Sequence, residues 1–347
     1  ALSPSFDQAL AGPSTGDTLV GRDFATSFTI SGADSGSAEA LAFFGFENIT
    51  GGSSDDTFNV GPGGSLTGVL AGGDGSDTLH GPNSATNWMI TGPASGSLAP
   101  LPAGFTSIER LRGGAGDDVF AFANGITPPA DPALLDPGGG TNTLDFSAWT
   151  GALALDLSDV AAGFSIYLGG AGATDTLIAR DATNLWTLDT TDAGTLNGRT
   201  FSGFENVTGG AADDTFSIAS SGLLTGLLDG AAGNDTIEGP DGDVTWTITA
   251  NNAGSADPLP GGFTEIEQII GGSGNDTFAF ADGVNILGLI DGGPGEDQLD
   301  YSAWTRPLTI RLGENVAGFE ILGGGSAADT LIGPDLNNAW SITAQNA

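Results

Sequence analysis

Apolar and polar residues alternate along this chain in runs of only about four. Thr57-Phe58-Asn59-Val60, Thr215-Phe216-Ser217-Ile218 and Trp246-Thr247-Ile248-Thr249 each place an apolar side chain at every second position. That is the period of a half-buried strand. Gly, Asp and Asn stand between the runs and mark corners. No window carries the 3.6-residue apolar period of an amphipathic helix. No apolar run approaches the roughly 18 residues that a membrane span needs. The pattern predicts an all-β chain with no membrane insertion.

The runs recur at fixed distances. FENITGGSSDDTF at 46–58 returns as FENVTGGAADDTF at 204–216, an offset of 158 residues. The same offset carries Asp77 to Asp235, Trp88 to Trp246 and Asp118 to Asp276. It then shortens to 155, taking LDFSAW at 144–149 to LDYSAW at 299–304, across an insertion near Pro128, Pro129 and Pro132. A finer step lies inside the long one: Asp56 to Asp77, Asp214 to Asp235 and Asp276 to Asp297 are each 21 residues. Short strands, Gly corners and a step near 20 residues predict a parallel β-solenoid with ~20-residue coils. The expected organisation is one continuous solenoid over 1–347. Residues 1–27 would be the end of a preceding repeat unit, 28–185 the first unit, 186–339 the second and 340–347 the start of another. The residues around Phe6 and the segment Trp340-Ser341-Ile342-Thr343 lie inside repeats, and neither reads as a polar cap. The expectation is a slice of a longer array, or a subunit that abuts copies of itself end to end or laterally.

Composition narrows the chemistry. Of 347 residues 59 are Gly and 43 acidic; the 7 basic residues are all Arg, there is one His and there is no Cys. A net charge of −36 opposes binding to nucleic acid, which needs clustered cations. Without Cys there is no disulfide, thiolate zinc site or Cys nucleophile. Without Lys there is no Schiff base and no Lys–Asn crosslink. The first residues, Ala1-Leu2-Ser3-Pro4, lack the charged region of a signal peptide.

The remaining chemistry is in the turns. GGDGSDTLH at 72–80, GGAGDDVFA at 113–121, GGSGNDTFA at 271–279 and GGPGEDQLD at 292–300 match the pattern G-G-x-G-x-D-x-hydrophobic-x. GAAGNDTIE at 230–238, GGSSDDTFN at 51–59 and GGAADDTFS at 209–217 are degenerate forms. In these turns the chain resembles the RTX, or haemolysin-type, repeats of very large bacterial surface and extracellular proteins. The resemblance implies Ca²⁺ held by Asp carboxylates and turn carbonyls of stacked coils. The ligands it implies are Asp77, Asp118, Asp276 and Asp297, followed by Asp235, then Asp56 and Asp214. One difference is that RTX motifs come back to back, whereas here one occurs per coil, so at most one edge would hold a row of metal. Oxygen-rich turns suit Ca²⁺, and stacked carboxylates would repel without it. The other reading of the same residues is that each Asp accepts N–H groups of its own turn. Asn142, standing where Asp297 stands in the second unit, suits that reading.

The recurring Trp88, Trp186, Trp246 and Trp340 are core positions on this pattern, though exposed Trp rows would stack on glycans. His80 has Glu238 as its counterpart and is expected at the surface. Asn48, Asn206, Asn234 and Asn275 lie in N-x-T sequons but read first as turn residues. Nothing resembles the Lys, Arg, His and Tyr constellations that polysaccharide-cleaving β-helices use, so an enzyme is not expected. The expected function is structural: a rod, stalk, fibre or surface layer outside a bacterial cell. The alternative is a calcium-dependent adhesin stalk that presents its repeats to cell-surface glycans or to a host.

Overall fold

The computed structural model describes residues 8–172 and 174–334. Phe6 and Trp340-Ser341-Ile342-Thr343 lie outside the described residues. The described chain contains thirty-seven strands and two single-turn 3-10 helices, with no α-helix. The fold is all-β, with long, largely parallel sheets. The predicted strands form as written. Thr57–Val60 and Thr215–Ile218 bury every second side chain, and Thr245–Ala250 buries Trp246 and Ile248.

The chain divides into two compact units: Ala1–Asp175 with Arg199–Gly203, and Thr176–Gly198 with Phe204–Ala347. In the first unit, parallel pairing aligns like residues from successive passes of the chain. Phe28 faces Phe58, which faces Leu79, then Leu111, then Leu135. A second ladder runs Leu19, Ile49, Leu70, Phe105. A third runs Trp88, Phe120, Leu144, Tyr167, Phe201. In the second unit one ladder runs Trp186, Phe216, Ile237, Ile269, Ile290, Val316. Another runs Leu177, Val207, Leu228, Phe263, and a third Trp246, Phe278, Leu299, Leu322. Parallel register puts the same phase of the repeat on the same face in each pass, so the core is built from columns of like side chains.

Aromatic rings stack along these columns. Phe28 lies over Phe58 with ring centroids 4.9 Å apart and planes 8° from parallel. Trp88 lies over Phe120 at 5.3 Å, Trp186 over Phe216 at 5.8 Å and Trp246 over Phe278 at 5.8 Å. The spacing is close to that of neighbouring strands. The strand ladder, more than the preferred geometry of an isolated ring pair, therefore sets it.

The passes are not uniform. Steps of 21 residues alternate with steps of 30 to 32: Phe28 to Phe58 is 30, Phe58 to Leu79 is 21 and Leu79 to Leu111 is 32. The longer steps hold antiparallel arms that the repeat arithmetic does not reveal. Ser27–Gly32, Ser35–Ala38 and Leu41–Phe44 form one meander. Asn87–Gly92, Ser95–Leu98 and Leu101–Thr106 form another. In the second unit Thr245–Ala250, Ala253–Ala256 and Leu259–Thr264 form a third, and Leu185–Thr190 pairs Ala193–Leu196. Asp34, Asp192 and Asn252 turn these arms in the left-handed region, at φ 48°, 51° and 55°, which short Asp and Asn side chains tolerate better than most. The Pro-rich insertion lies between Phe122 and Leu135. It ends in the 3-10 turn Pro132–Leu134, capped by Asp131 and without buried residues.

Removing one ring from a column leaves a void that its neighbours in the ladder are too constrained to fill. Trp246→Ala or Phe278→Ala should cost about 3–5 kcal/mol. Leu287→Ala, at a side chain 62% exposed, should stay within about 0.5 kcal/mol. Urea unfolding of the three variants checks this.

Candidate functional site

All seven aspartates singled out by the motif are buried. Asp77, Asp118, Asp235 and Asp297 are 0% exposed, and Asp56, Asp214 and Asp276 are 1% exposed. A carboxylate taken out of water needs partners, and here they are backbone N–H groups one pass away. In the first unit Asp56 Oδ1 accepts from the Thr26 N–H at 2.7 Å, and Asp77 Oδ1 from the Asp56 N–H at 2.7 Å. Asp118 Oδ1 accepts from the Thr86 N–H at 2.9 Å, and Asn142 Oδ1 from the Asp118 N–H at 2.8 Å. In the second unit Asp214 Oδ1 accepts from Asn184, Asp235 from Asp214, Asp276 from Val244 and Asp297 from Asp276, all at 2.6–2.7 Å. Each recurring side chain thus takes the N–H of a residue in the previous pass and ties two passes together.

The second carboxylate oxygen divides the row. Oδ2 of Asp56, Asp118 and Asp214 accepts from the N–H four residues upstream, on Gly52, Gly114 and Gly210. Oδ2 of Asp77, Asp235, Asp276 and Asp297 is buried with no hydrogen-bond partner. The backbone four residues upstream accounts for the difference. Gly73, Ala231, Gly272 and Gly293 stand at φ 109°, 70°, 116° and 90°, and their N–H groups do not reach Oδ2. The N–H of Ala231 goes to Asp229 Oδ1 instead, and that of Gly293 to Asp291 Oδ1.

Desolvation raises the proton affinity of these acids. Burial first, and then the neighbouring acids, push Asp77, Asp235 and Asp276 up to about 6. Asp297 and Asp118 are also raised, again chiefly by burial. Backbone N–H contacts act in the opposite direction at every one of them.

The structure adds groups that the motif search missed. Glu109 Oε2 accepts the N–H of Asp77, Glu267 Oε2 that of Asp235 and Glu320 Oε2 that of Asp297, each at 2.9 Å. Their signal in the sequence is an acid set between apolar residues in Ile108-Glu109-Arg110-Leu111, Ile266-Glu267-Gln268-Ile269 and Phe319-Glu320-Ile321-Leu322. A parallel outer row is exposed. Asp55, Asp117, Asp213 and Asp243 each accept one N–H from the following turn, on Ser76, Thr141, Asn234 and Asn275.

Calcium would need about six to eight oxygens around one point. Among the described residues no three acidic or His side chains converge in that way. The partners found at Oδ1 are donors, which repel a cation, whereas Oδ2 of Asp77, Asp235, Asp276 and Asp297 has no partner. At Oδ1 the residues present fit backbone capping.

The other candidates resolve simply. Trp88, Trp186 and Trp246 are at most 1% exposed and offer no face to a sugar. His80 is half-buried rather than at the surface, and burial lowers its proton affinity. Asn48, Asn206 and Asn275 accept the N–H groups of Val69, Leu227 and Glu296, which makes them turn braces.

The glycine five residues before each Asp is explained by the same packing. A Cβ on Gly209 would collide with Asp214 Oδ2 and with the Gly230 carbonyl. Asp214→Ala strands the buried N–H groups of Asn184 and Gly210 and should cost roughly 2–5 kcal/mol. Gly209→Ala should be destabilising by a similar route. Asp213→Ala, in the exposed row, should cost under about 1 kcal/mol. Denaturation midpoints of the three variants test the ordering.

No protein family, characterised protein or solved structure matches this chain.

Proposed function

We propose that the chain is a structural protein: a parallel β-solenoid that serves as a rod, stalk or fibre segment outside a bacterial cell, with no catalytic role. The observation that carries this reading is where the recurring side chains go. The motif aspartates, the linking glutamates and the sequon residues Asn48, Asn206 and Asn275 bond to backbone, and the repeated aromatics stack in the core. Residues repeated for catalysis or ligand binding would present polar atoms to solvent. These hold one pass of chain to the next.

The surface supports the same reading. The exposed Asp row lines the turns, and only two ion pairs occur among the described residues, Arg112–Asp136 at 3.6 Å and Arg306–Asp282 at 3.9 Å. Exposed pairs of this kind contribute little. A net charge of −36 keeps such bodies solvated and apart laterally. Strand edges at the end of a solenoid favour growth along its axis, so association would be end to end. No helix among the described residues is long and apolar enough to cross a membrane.

Small-angle scattering from the purified chain should give the profile of a rod of constant cross-section. A profile of two compact globules would sink the proposal. Calcium added after chelation should leave the melting temperature unchanged, because the turns are already braced by N–H groups. A clear rise would replace the bracing role with a metal-dependent one.

A further inference from the structure

The row of buried acids contains its own control. Asn142 occupies the same turn position as the aspartates, is 0% exposed and follows a left-handed Gly138 at φ 79° four residues upstream. The N–H of Gly138 is taken by Asp136 Oδ1, as the N–H of Ala231 is taken by Asp229 and that of Gly293 by Asp291. Asn142 therefore belongs with Asp77, Asp235, Asp276 and Asp297, whose Oδ2 has no partner. Like them it uses Oδ1 to accept an N–H from the previous pass. Its other atom is a donor. Nδ2 donates to the carbonyl of Gly139 at 3.0 Å and lies 3.5 Å from the carbonyls of Gly138 and Gly163. At Asn142 the second side-chain atom faces carbonyl oxygens.

A carboxylate oxygen in that place is an acceptor set against acceptors. The Cβ site of the glycine five residues upstream lies between the carboxylate and a carbonyl of the next pass at all four aspartates, as it does at Asp56, Asp118 and Asp214. The Cβ position of Gly72 is crowded both by Asp77 Oδ2 and by the Ser107 carbonyl, and that of Gly230 by Asp235 Oδ2 and the Glu265 carbonyl. Gly271 and Gly292 are crowded in the same way, by Asp276 and Asp297 with the carbonyls of Gly292 and Gly318. The charged groups acting on the four acids are themselves acids. Asp77 faces Asp56, Asp55 and Glu109. Asp235 faces Asp214, Asp213 and Glu267. Asp276 faces Asp297 and Asp243, and Asp297 faces Glu320 and Asp291. Among the described residues no cation acts on these four acids.

We propose that Asp77, Asp235, Asp276 and Asp297 fold as neutral carboxylic acids, each donating through a proton on Oδ2 where Asn142 donates through its amide, and that this row couples the stability of the fold to pH. The proton is taken from solvent and returned to it, and no other bond changes. Asp56, Asp118 and Asp214 form the contrasting class, because both of their oxygens accept N–H groups.

The sign follows from linkage. Burial raises the folded-state value of Asp77, Asp235 and Asp276 from 3.8 to about 6. The folded chain therefore holds these protons more tightly than the unfolded chain. The stabilisation is fully present below 3.8, falls as pH rises and is gone above about 6. General relief of negative charge in acid acts on every variant, so the readout is a difference between variants.

The test compares the wild-type chain with Asp77→Asn, Asp235→Asn, Asp276→Asn and Asp297→Asn combined, in chelator. The combined variant should melt roughly 3 °C or more above wild type at neutral pH, and the gap should close in acid. Asp56→Asn with Asp214→Asn should instead melt lower than wild type, because either amide orientation sets an NH₂ group against an N–H. Infrared spectra of the wild type should show a protonated-carboxyl band that persists to about pH 6 and is lost in the combined variant. That band is measurable on the wild type even if the combined variant fails to fold. Three outcomes would each overturn the proposal. One is a folded combined variant no more stable than wild type at neutral pH. Another is absence of the infrared band. The third is a calcium-dependent rise in melting temperature that the wild type shows and the combined variant lacks.

Discussion

The bond from a buried aspartate to a backbone N–H in the previous pass is the contact on which the rest of this architecture depends. A turn between short parallel strands leaves N–H groups that the ladder does not reach, and burying them unpaired costs about 1–3 kcal/mol each. Asp214 takes two of them, from Asn184 and Gly210. Asp235 then takes the N–H of Asp214 itself, and Glu267 that of Asp235. The acids therefore form a chain in which each holds the next at a fixed height. At Asp214 amide N–H groups cover both oxygens, so their partial positive charge stands where an ion pair would.

The same constraint shapes the residues around the row. Glycine is needed five residues upstream because the carboxylate and the carbonyl of the next pass occupy the space of a side chain. One step inward from the turn, Thr57–Val60 and Thr215–Ile218 carry Phe58 and Phe216 into the aromatic columns. Turn and column set the register together. A slip of one residue would expose the aromatic and unpair the acid.

The repeated motif resembles a calcium-binding turn, yet the structure supplies amide donors to the same carboxylates. The two solutions answer the same electrostatic problem, a stack of acids about one strand spacing apart. Where an amide donor reaches both oxygens, as at Asp56 and Asp214, the carboxylate braces two turns at once. Where it reaches only one, as at Asp77 and Asp297, the structure leaves an oxygen that Asn142 shows how to satisfy.

Period-2 alternation and the 21-residue step were legible in the sequence because both are local or strictly repeated. They determine the all-β class, the apolar columns and the positions of the recurring acids. Asp56, Asp77, Asp118, Asp214, Asp235, Asp276 and Asp297 could be named from spacing alone. What each acid bonds to could not, because Oδ1 reaches a residue 21 to 32 positions earlier and that partner depends on which pass lies beside it. The antiparallel arms were hidden for a related reason: they lengthen some passes without breaking the long offset, so repeat arithmetic absorbs them. The roles of Glu109, Glu267 and Glu320 emerged only when the following pass was laid against the turn. The division of the acids into two classes was decided by the backbone angle four residues upstream. A glycine at that position permits either sign of φ. Gly52 and Gly73 look alike in the sequence, and only the packed turn selects which one gives its N–H to the carboxylate.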